Sequence, residues 1–514
     1  MNKTGRRAGP RRAARGAWLA RVTALGVALA AATASPALAQ SGRSAGAAGG
    51  GGERPLGGLP ETAENPVTSQ PGQGPPSVAS SLGPLGDPGG ARAALAEKGV
   101  TYSLTYIGEG LGNASGGLRR GAIYEGRLDP QLDVDLEKLV GLPGLTFHAN
   151  AFQIHGRGLS QANLGNLLVA SGIEALPSTR LFELWGEQKV LDGRVTVRAG
   201  QLAADSEFIV SQYATLFVNS TFGWPGITAA NLPSGGPAYP LATPGVRVRA
   251  ALSDRATLLG AVFNGDPAGP GPGDPQRNNR SGTEFRLTDP PFVIGEIQLA
   301  RGGPDEAAGL PGLLKLGAWG HLGRFDDQRF SASGASLADP GPPAEDASPG
   351  GLAGNPSPRR LRGDQGVYGV VDQMIYRVPG SADRGVGVFA RLSGSPADRN
   401  LIDLYADGGI TFKGLLPARV DDSFGVSLAY ARISERARSL DRDLARFSGL
   451  PGPIRSSEAV LEVTYQAQVV PGWTVQPVFQ YVIRPGGNVP NPRDPDGAPI
   501  GNAAVFGLRT TVRY

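Results

Sequence analysis

The fold is decided by residues 503–514, which read A-A-V-F-G-L-R-T-T-V-R-Y. Counting back from Tyr514 in steps of two gives aromatic, aliphatic or Thr side chains, whereas Gly507, Arg509 and Arg513 lie in the other set. A period of two belongs to a β-strand and not to a helix. An apolar face that ends in an aromatic, opposite a face with arginines, predicts a membrane-barrel strand with lipid on one side and water on the other. A strand of a soluble sheet is the alternative at this point.

The composition of the whole chain suits many short strands. The 514 residues include 78 Gly, 44 Pro and no Cys, and 40% of them are hydrophobic against 18% charged. Short strands joined by turns rich in Gly and Pro reconcile the high turn content with the hydrophobic content. No run of about 18 uninterrupted apolar residues follows the first 39 residues, so the sequence predicts no membrane-spanning helix.

The basic charge of the chain is concentrated in residues 1–39, which predict a secretory signal peptide. This segment has seven basic residues and no acid, an apolar run over 18–32, and Ala-Leu-Ala before Gln40. Without those seven, the 49 basic residues become 42, against 45 acidic ones. The rest of the chain is therefore slightly acidic, and the basic pI does not indicate a nucleic-acid partner. Residues 40–90, rich in Gly, Pro, Ser and Ala, predict a disordered linker, and residues 91–514 predict the barrel domain.

Sixteen candidate strands follow, and the connections between them alternate between long and short. A bacterial outer-membrane barrel has this pattern, with short turns in the periplasm and longer loops outside. An even number of strands places both termini in the periplasm, and sixteen strands enclose an aqueous channel. The predicted strands are 100–108, 127–136, 145–154, 180–190, 194–202, 245–253, 256–264, 282–300, 313–322, 366–377, 385–393, 404–413, 423–432, 457–469, 473–483 and 503–514.

One of these strands, 282–300, contains the turn-like Asp289-Pro290-Pro291. We keep it as one element, extended or bulged on the outer side, because dividing it would invert every strand upstream. A soluble sandwich or propeller is the alternative architecture for the whole series. A propeller would show a repeat of about 40–50 residues, which the sequence lacks, and a sandwich has no need of alternating loop lengths. The predicted fold is therefore an all-β, transmembrane antiparallel barrel.

Motifs for catalysis or metal binding are absent from the sequence. His148, His155 and His321 match no zinc spacing, and there is no G-x-S-x-G and no Cys nucleophile. A barrel lipase or protease would need Ser, His and an acid on the wall, and no strand offers Ser and His on one face at a reachable spacing. We therefore expect that the protein is not an enzyme and binds no cofactor or metal. The acidic residues of loop 491–497 have two interpretations, a calcium site or a solvated turn.

Seven short stretches in the same order resemble the carbohydrate-selective (OprB-type) outer-membrane porins. The resemblance implies a porin-like sixteen-stranded barrel in the outer membrane of a Gram-negative cell, which passes glucose-like sugars into the periplasm by facilitated diffusion. The partners that it implies are the carbohydrate and the membrane lipid. For the oligomeric state, both a homotrimer and a monomer remain open. The stretches are L-D-P-Q-L-D-V-D-L-E (128–137), F-Q-I-H-G-R-G (152–158), R-L-F-E-L-W-G-E-Q (180–188), N-S-T-F-G-W-P (219–225), L-P-S-G-G-P-A-Y (232–239), A-V-F-N-G-D-P (261–267) and F-G-L-R-T-T (506–511).

Five residues are predicted to line the pore constriction: Arg157, Glu183, Trp185, Arg198 and Arg247. A neutral sugar offers hydroxyls and an apolar ring face, so a selective channel needs Arg and carboxylate partners and an aromatic, each binding weakly enough to release. Each of these residues also has an interpretation without a role in sugar binding. Each Arg would then be a solvated charge on the barrel wall, and Trp185 would lie in the aromatic girdle at the lipid interface. A porin of the same fold for another small solute, an organic acid or an oligosaccharide, is the second hypothesis on function.

Overall fold

The structure, a computed structural model, describes residues 81–303, 309–340 and 357–514. The predicted signal peptide (1–39) and most of the predicted linker (40–80) lie outside these ranges. The described residues form one closed antiparallel barrel in which each strand pairs with its neighbours in sequence and the last strand pairs with the first. The predicted fold class is therefore confirmed.

The barrel has sixteen strands within the described ranges, with a few short helices in its connections. None of the described helices has the length and apolar character that a membrane crossing requires. The strands are β1 (Val100–Gly117), β2 (Gly121–Asp135), β3 (Leu145–Gly156), β4 (Ser178–Val190), β5 (Val195–Leu202), β6 (Thr243–Ser253), β7 (Ala256–Phe263), β8 (Phe292–Arg301), β9 (Gly312–Ser331), β10 (Pro358–Arg377), β11 (Gly385–Gly394), β12 (Ile402–Lys413), β13 (Ser423–Ile433), β14 (Ser457–Val470), β15 (Trp473–Ile483) and β16 (Gly501–Arg513). The α-helices are α1 (Ala91–Glu97), α2 (Leu136–Val140), α3 (Gly226–Asn231) and α4 (Glu435–Ser448).

The two faces of β16 show how the sequence pattern becomes a membrane wall. Phe506 and Leu508 are 58% and 52% exposed on the outside, whereas Arg509 is 1% exposed on the inside. Arg509 forms an ion pair with Glu109 of β1, with 2.6 Å between Nη2 and Oε1. Apolar side chains outside and charged ones inside are the reverse of a soluble domain and are typical of a strand between lipid and a polar lumen.

The start of β8 corrects the predicted strand 282–300. The strand begins at Phe292, and residues 282–291 belong to the preceding loop. Pro290 and Pro291 have no N–H to donate to a neighbouring strand, so the ladder cannot include them. The carboxylate of Asp289 instead accepts hydrogen bonds from Arg286 (2.9 Å) within the loop. The stretch still crosses the barrel once, as predicted, so every strand upstream keeps its direction.

The first hairpin is longer than predicted. A loop was expected over 109–126, but β1 and β2 remain paired as far as Asn113 and Gly121, and only residues 118–120 separate the strands. Gly and small polar residues weakened the strand pattern there, yet the ladder on both sides holds them extended. We call the end of the barrel with the two-residue connections 254–255 and 471–472 the turn end, which is the periplasmic end by the general rule, and the opposite end the loop end.

Two long connections at the loop end fold into the lumen instead of lying on the surface. They are residues 157–177, the short inner loop, and residues 203–242, the long inner loop. Phe208, Phe217 and Phe222 of the long inner loop are all buried. Buried apolar side chains of this size require close packing on every side, so the two loops occupy the barrel interior.

The helix α1 fastens the seam between the first and last strands at the turn end. The guanidinium of Arg92 lies over the rings of Tyr102 and Tyr514, 5.3 and 5.1 Å from their centroids, and donates to the carbonyl of Tyr102 (3.0 Å). Arg92→Ala should lower the free energy of unfolding by about 1–2 kcal/mol, because both cation–π contacts are lost. Heat-modifiability on gels would check this result, with Lys98→Ala as the exposed control. Equal midpoints for the two variants would contradict the role of Arg92.

Candidate functional site

The long inner loop is held by carboxylates on the far wall of the barrel. Glu462 of β14 accepts hydrogen bonds from the N–H groups of Val218 (2.6 Å) and Asn219 (2.8 Å). Glu296 of β8 accepts one from the N–H of Ile209 (3.0 Å). Because a buried N–H group without an acceptor costs free energy, these contacts fix the path of the loop across the lumen.

A buried ion pair holds the same loop by its carbonyl groups. Arg391 of β11 pairs with Asp407 of β12, and both side chains have no exposed surface. The guanidinium also donates to the carbonyls of Thr221 (2.9 Å), Gly223 (3.1 Å) and Ile209 (3.1 Å). A buried charge is tolerated only when it is paired and its hydrogen bonds are satisfied, and here the loop backbone completes that set.

The short inner loop is fastened in the same way and is joined to the long one. Glu458 of β14 accepts hydrogen bonds from the N–H groups of Leu167 (2.8 Å) and Leu168 (2.6 Å). The N–H of Gly172 donates to the carbonyl of Val218 (2.9 Å), which links the two loops directly. The loops therefore form one structural unit inside the barrel.

Four charged side chains meet where the long inner loop approaches strands β4 to β6, and we call them the four-charge cluster. Its members are Glu187, Arg198, Arg247 and Glu207, the last from the loop. Arg198 contacts both carboxylates, with Nη2–Oε2 of Glu187 at 3.0 Å and Nη1–Oε1 of Glu207 at 2.7 Å. Arg247 does the same, with Nη2–Oε2 of Glu187 and Nε–Oε2 of Glu207 both at 2.7 Å.

The four-charge cluster has no net charge at neutral pH. Burial alone would raise the pKa of Glu207, but the guanidinium groups of Arg198 and Arg247 outweigh it and lower that pKa below its ordinary value. Glu207 is therefore a carboxylate, and two negative charges face two positive ones. Both glutamates keep some exposed surface, so water and solutes reach the carboxylates more readily than the guanidinium groups.

Trp185 lies beside the cluster, inside the barrel and not in the lipid girdle. The guanidinium of Arg198 sits over its ring, 3.8 Å from the centroid. The ring of His148 stacks on the indole with centroids 4.9 Å apart, and Trp185 is only 3% exposed. The indole is covered on both sides by these neighbours, so it orients Arg198 and presents little surface to a solute.

The five predicted site residues lie in three places. Three of them lie together, because Arg198 and Arg247 belong to the four-charge cluster and Trp185 stacks against Arg198. Glu183 is buried on the same strand and accepts a hydrogen bond from the N–H of Ala203 (3.0 Å), where the long inner loop begins. Arg157 is exposed at the start of the short inner loop, and within the described ranges its side chain forms no ion pair with the cluster.

Glu207 and the wall anchors were not among the predicted site residues. Glu187 shares a strand face with Glu183 and Trp185, so alternation alone could have added it. The apolar content of residues 203–242, which is high for a connection, was a signal of an inward-folded loop. Nothing local indicates that Glu207 would meet strands β5 and β6, since the contacts that set the loop path come from β8 to β14.

A water-accessible cavity of about 600 Å³ opens beneath the long inner loop at the turn end. Most of the polar side chains that line it are neutral, and such side chains form hydrogen bonds without attracting ions. They include Gln131, Gln212, Thr411, Gln466, Thr474 and Thr511.

Metal binding finds no support within residues 81–303, 309–340 and 357–514, where no three or more His, Cys, Asp or Glu side chains come together as a metal ligand set. In loop 491–497, where calcium was left open, the carboxylate of Asp494 accepts a hydrogen bond from the N–H of Asp496 (2.9 Å). That contact is typical of a polar turn.

Asp205 gives the long inner loop a dependence on pH. Its carboxylate is buried and accepts a hydrogen bond from the N–H of Tyr239 (2.9 Å). Burial raises the pKa of Asp205 from 3.8 to about 6, although that hydrogen bond and the charge of Arg127 lower it in part. The folded protein therefore favours the neutral acid. The contribution of Asp205 to the free energy of unfolding is complete below the unfolded pKa of 3.8 and is lost as the pH rises through 6.

The variant Asp205→Asn should be more stable than the wild type by up to about 3 kcal/mol at pH 7.5, because the amide keeps the acceptor oxygen and carries no charge. The difference in stability between the variant and the wild type should become smaller as the pH falls toward 4, because Asp205 of the wild type is then protonated. Unfolding midpoints of both proteins across this pH range would check the result. A difference that stays constant with pH would show that Asp205 is not the titrating group.

Comparison with known proteins places these features in one family. The family model described as "Carbohydrate-selective porin, OprB family" matches residues 119–514. Porin B of Pseudomonas aeruginosa is 25% identical over 425 residues, which cover 78% of this chain and 87% of that protein.

The solved structures include a barrel of the same shape. The high-pH structure of Pseudomonas putida OprB superposes with a TM-score of 0.72 at 22% identity, and the match covers 85% of this chain and 99% of that one. This likeness concerns the fold, whereas the family match extends over most of the sequence. The chain belongs to the OprB family of carbohydrate-selective porins and is an outer-membrane channel of a Gram-negative cell.

Proposed function

We propose that this outer-membrane carbohydrate channel passes glucose-like monosaccharides into the periplasm by facilitated diffusion, and that the four-charge cluster is part of its selective constriction. Family membership establishes a carbohydrate channel and not an enzyme. The observation that carries the finer proposal is a cluster with balanced charge, formed between the wall and a loop that crosses the lumen.

Balanced charge suits a neutral solute that both donates and accepts hydrogen bonds. A sugar hydroxyl can donate to Glu187 or Glu207 and accept from Arg198 or Arg247. Each of these contacts replaces a contact within the cluster or with water, so the net gain is small and the sugar is released again. Selective passage needs binding of this kind, favourable enough to enter and weak enough to leave.

The predicted constriction residues take different roles in this proposal. Arg198 and Arg247 bind hydroxyls directly, and Trp185 holds Arg198 in place. Glu183 positions the beginning of the long inner loop. Arg157 acts at the exposed mouth of the pore, where it meets the solute before the cluster does.

Another small solute is the second candidate for the transported molecule. An organic acid gains no net attraction from a cluster of zero charge, which argues against it. An oligosaccharide would have to pass the same two inner loops in an extended form. The wall of the turn-end cavity, where most polar side chains are neutral and several carry hydroxyls, suits either sugar.

Flux into proteoliposomes tests the transported solute. Glucose uptake should saturate with concentration and should exceed the uptake of an equally small polyol without a ring. Replacing Arg198 and Arg247 by Ala should abolish the saturation and leave diffusion ordered by solute size. Flux in the wild type that follows solute size alone would contradict carbohydrate selectivity at the cluster.

The oligomeric state does not alter this proposal. Every residue that we assign to the constriction comes from one chain, so the pore is complete in a monomer and would be repeated three times in a homotrimer. Light scattering of the protein in detergent distinguishes the two.

A further inference from the structure

The outer face of the β9–β10 hairpin carries a group of arginines directly above its lipid-facing residues. Along β9, the side chains of Leu314, Leu316 and Leu322 are exposed on the outside of the barrel. Arg324 is the next residue on the same face and is also exposed. The strand thus changes from aliphatic to cationic within two residues.

The height of Arg324 matches the rim of the hydrocarbon layer. From Leu314 to Arg324 the strand rises by ten residues, or about 25 Å along the membrane normal for a strand tilted by about 40°. The apolar band of an outer-membrane barrel is also about 25 Å tall. Arg324 therefore lies at the level of lipid headgroups on the loop-end side.

Two further arginines of β10 lie on the same face. Arg362 is the direct cross-strand partner of Arg324, and Arg360 is the partner of Asp326. Arg360 and Asp326 form an exposed ion pair with 2.8 Å between Nη1 and Oδ1. Gly363, with φ of +73°, lies at the bulge where the register shifts between Arg362 and Asp364, and the bulge places Arg360 and Arg362 outward.

The charges of this group are not balanced within the part of the chain that the structure describes. Among those residues, no carboxylate lies within ion-pair distance of Arg324 or Arg362. Like charges directly opposite each other on a sheet face destabilise it. The three guanidinium groups face one carboxylate, so an external anion between Arg324 and Arg362 would remove the repulsion.

We propose that Arg324, Arg360 and Arg362 bind the phosphate of an anionic lipid headgroup in the outer leaflet. A guanidinium group offers paired N–H donors that match phosphate geometry. The source is a lipid and not free phosphate, because the aliphatic surface that ends at Leu322 continues directly into the site and would contact the acyl chains. This site lies outside the barrel and is independent of the proposed transport of monosaccharides.

The test measures binding of lipid A, a bis-phosphorylated glycolipid, to the full-length protein in detergent by native mass spectrometry. The double variant Arg324→Gln/Arg362→Gln should bind lipid A at least about tenfold more weakly than the wild type, since each arginine near a headgroup contributes about 1 kcal/mol. The control variant Arg120→Gln/Arg493→Gln removes the same charge from exposed loop positions and should bind as the wild type does.

Two further probes separate the sources of the anion. Dephosphorylated lipid A should bind the wild type about as weakly as the double variant binds lipid A, and inorganic phosphate alone should not compete at millimolar concentration. Equal binding by the wild type and the double variant would overturn the proposal, and so would effective competition by inorganic phosphate. Both altered side chains are exposed, and a heat-modifiability gel on each sample establishes that the barrel is folded.

Discussion

Replacing Glu462 by Ala is expected to increase the single-channel conductance severalfold, because the long inner loop loses its attachment to β14. The carboxylate accepts hydrogen bonds from the buried N–H groups of Val218 and Asn219. Leaving two buried donors without acceptors costs about 2–6 kcal/mol in total. The loop can recover this energy only by moving into water, which widens the pore.

Planar-bilayer recording measures this change directly. Gln466→Ala is the matched control, because Gln466 is four residues further along the same strand, lines the turn-end cavity and makes no hydrogen bond to either inner loop in the described structure. We expect the control to conduct almost as the wild type does. A Glu462→Ala channel with unchanged conductance and unchanged current noise would show that the loop is held elsewhere.

Replacing Glu207 by Gln is expected to make the channel prefer anions and to weaken sugar binding about tenfold. The amide keeps the size of the side chain but removes one negative charge, so Arg198 and Arg247 then face Glu187 alone. The reversal potential in a salt gradient should move toward that of chloride, and more glucose should be needed to block the current.

The control for this second prediction is Glu97→Gln, which removes the same charge from an exposed position on α1. If both variants shift the reversal potential equally, the effect comes from the overall charge and not from the cluster. A Glu207→Gln channel that keeps wild-type selectivity and sugar affinity would place the constriction away from the long inner loop.

The wall of the barrel could be predicted from the sequence because its signal is local. Alternation over Phe506 to Arg509, and over similar stretches in other strands, follows from lipid on one side and water on the other. The errors occurred where this signal is interrupted. Pro290 and Pro291 mark the end of a loop and not the middle of a strand, and the Gly-rich end of β1 depends on its partners more than on its own residues.

The site could be predicted only in part because its geometry depends on distant contacts. Arg198 and Arg247 are cross-strand partners, so each was accessible from the pattern of its own strand. Glu207 reaches them only because Glu296, Arg391 and Glu462 hold the loop from the opposite wall. Isolated charged residues at lumen-facing strand positions were a sign that the wall holds a loop. No spacing rule, however, connects these wall residues to a loop that precedes them by about 90 to 250 residues in the sequence.

The central claim, that neutral sugars bind reversibly at the four-charge cluster, is tested most directly by the current through a single reconstituted channel during a glucose titration. We predict a saturable reduction of the current in the wild type and none in the Arg198→Ala/Arg247→Ala variant. A reduction that grows linearly with glucose, or one that is the same in both proteins, would contradict the claim.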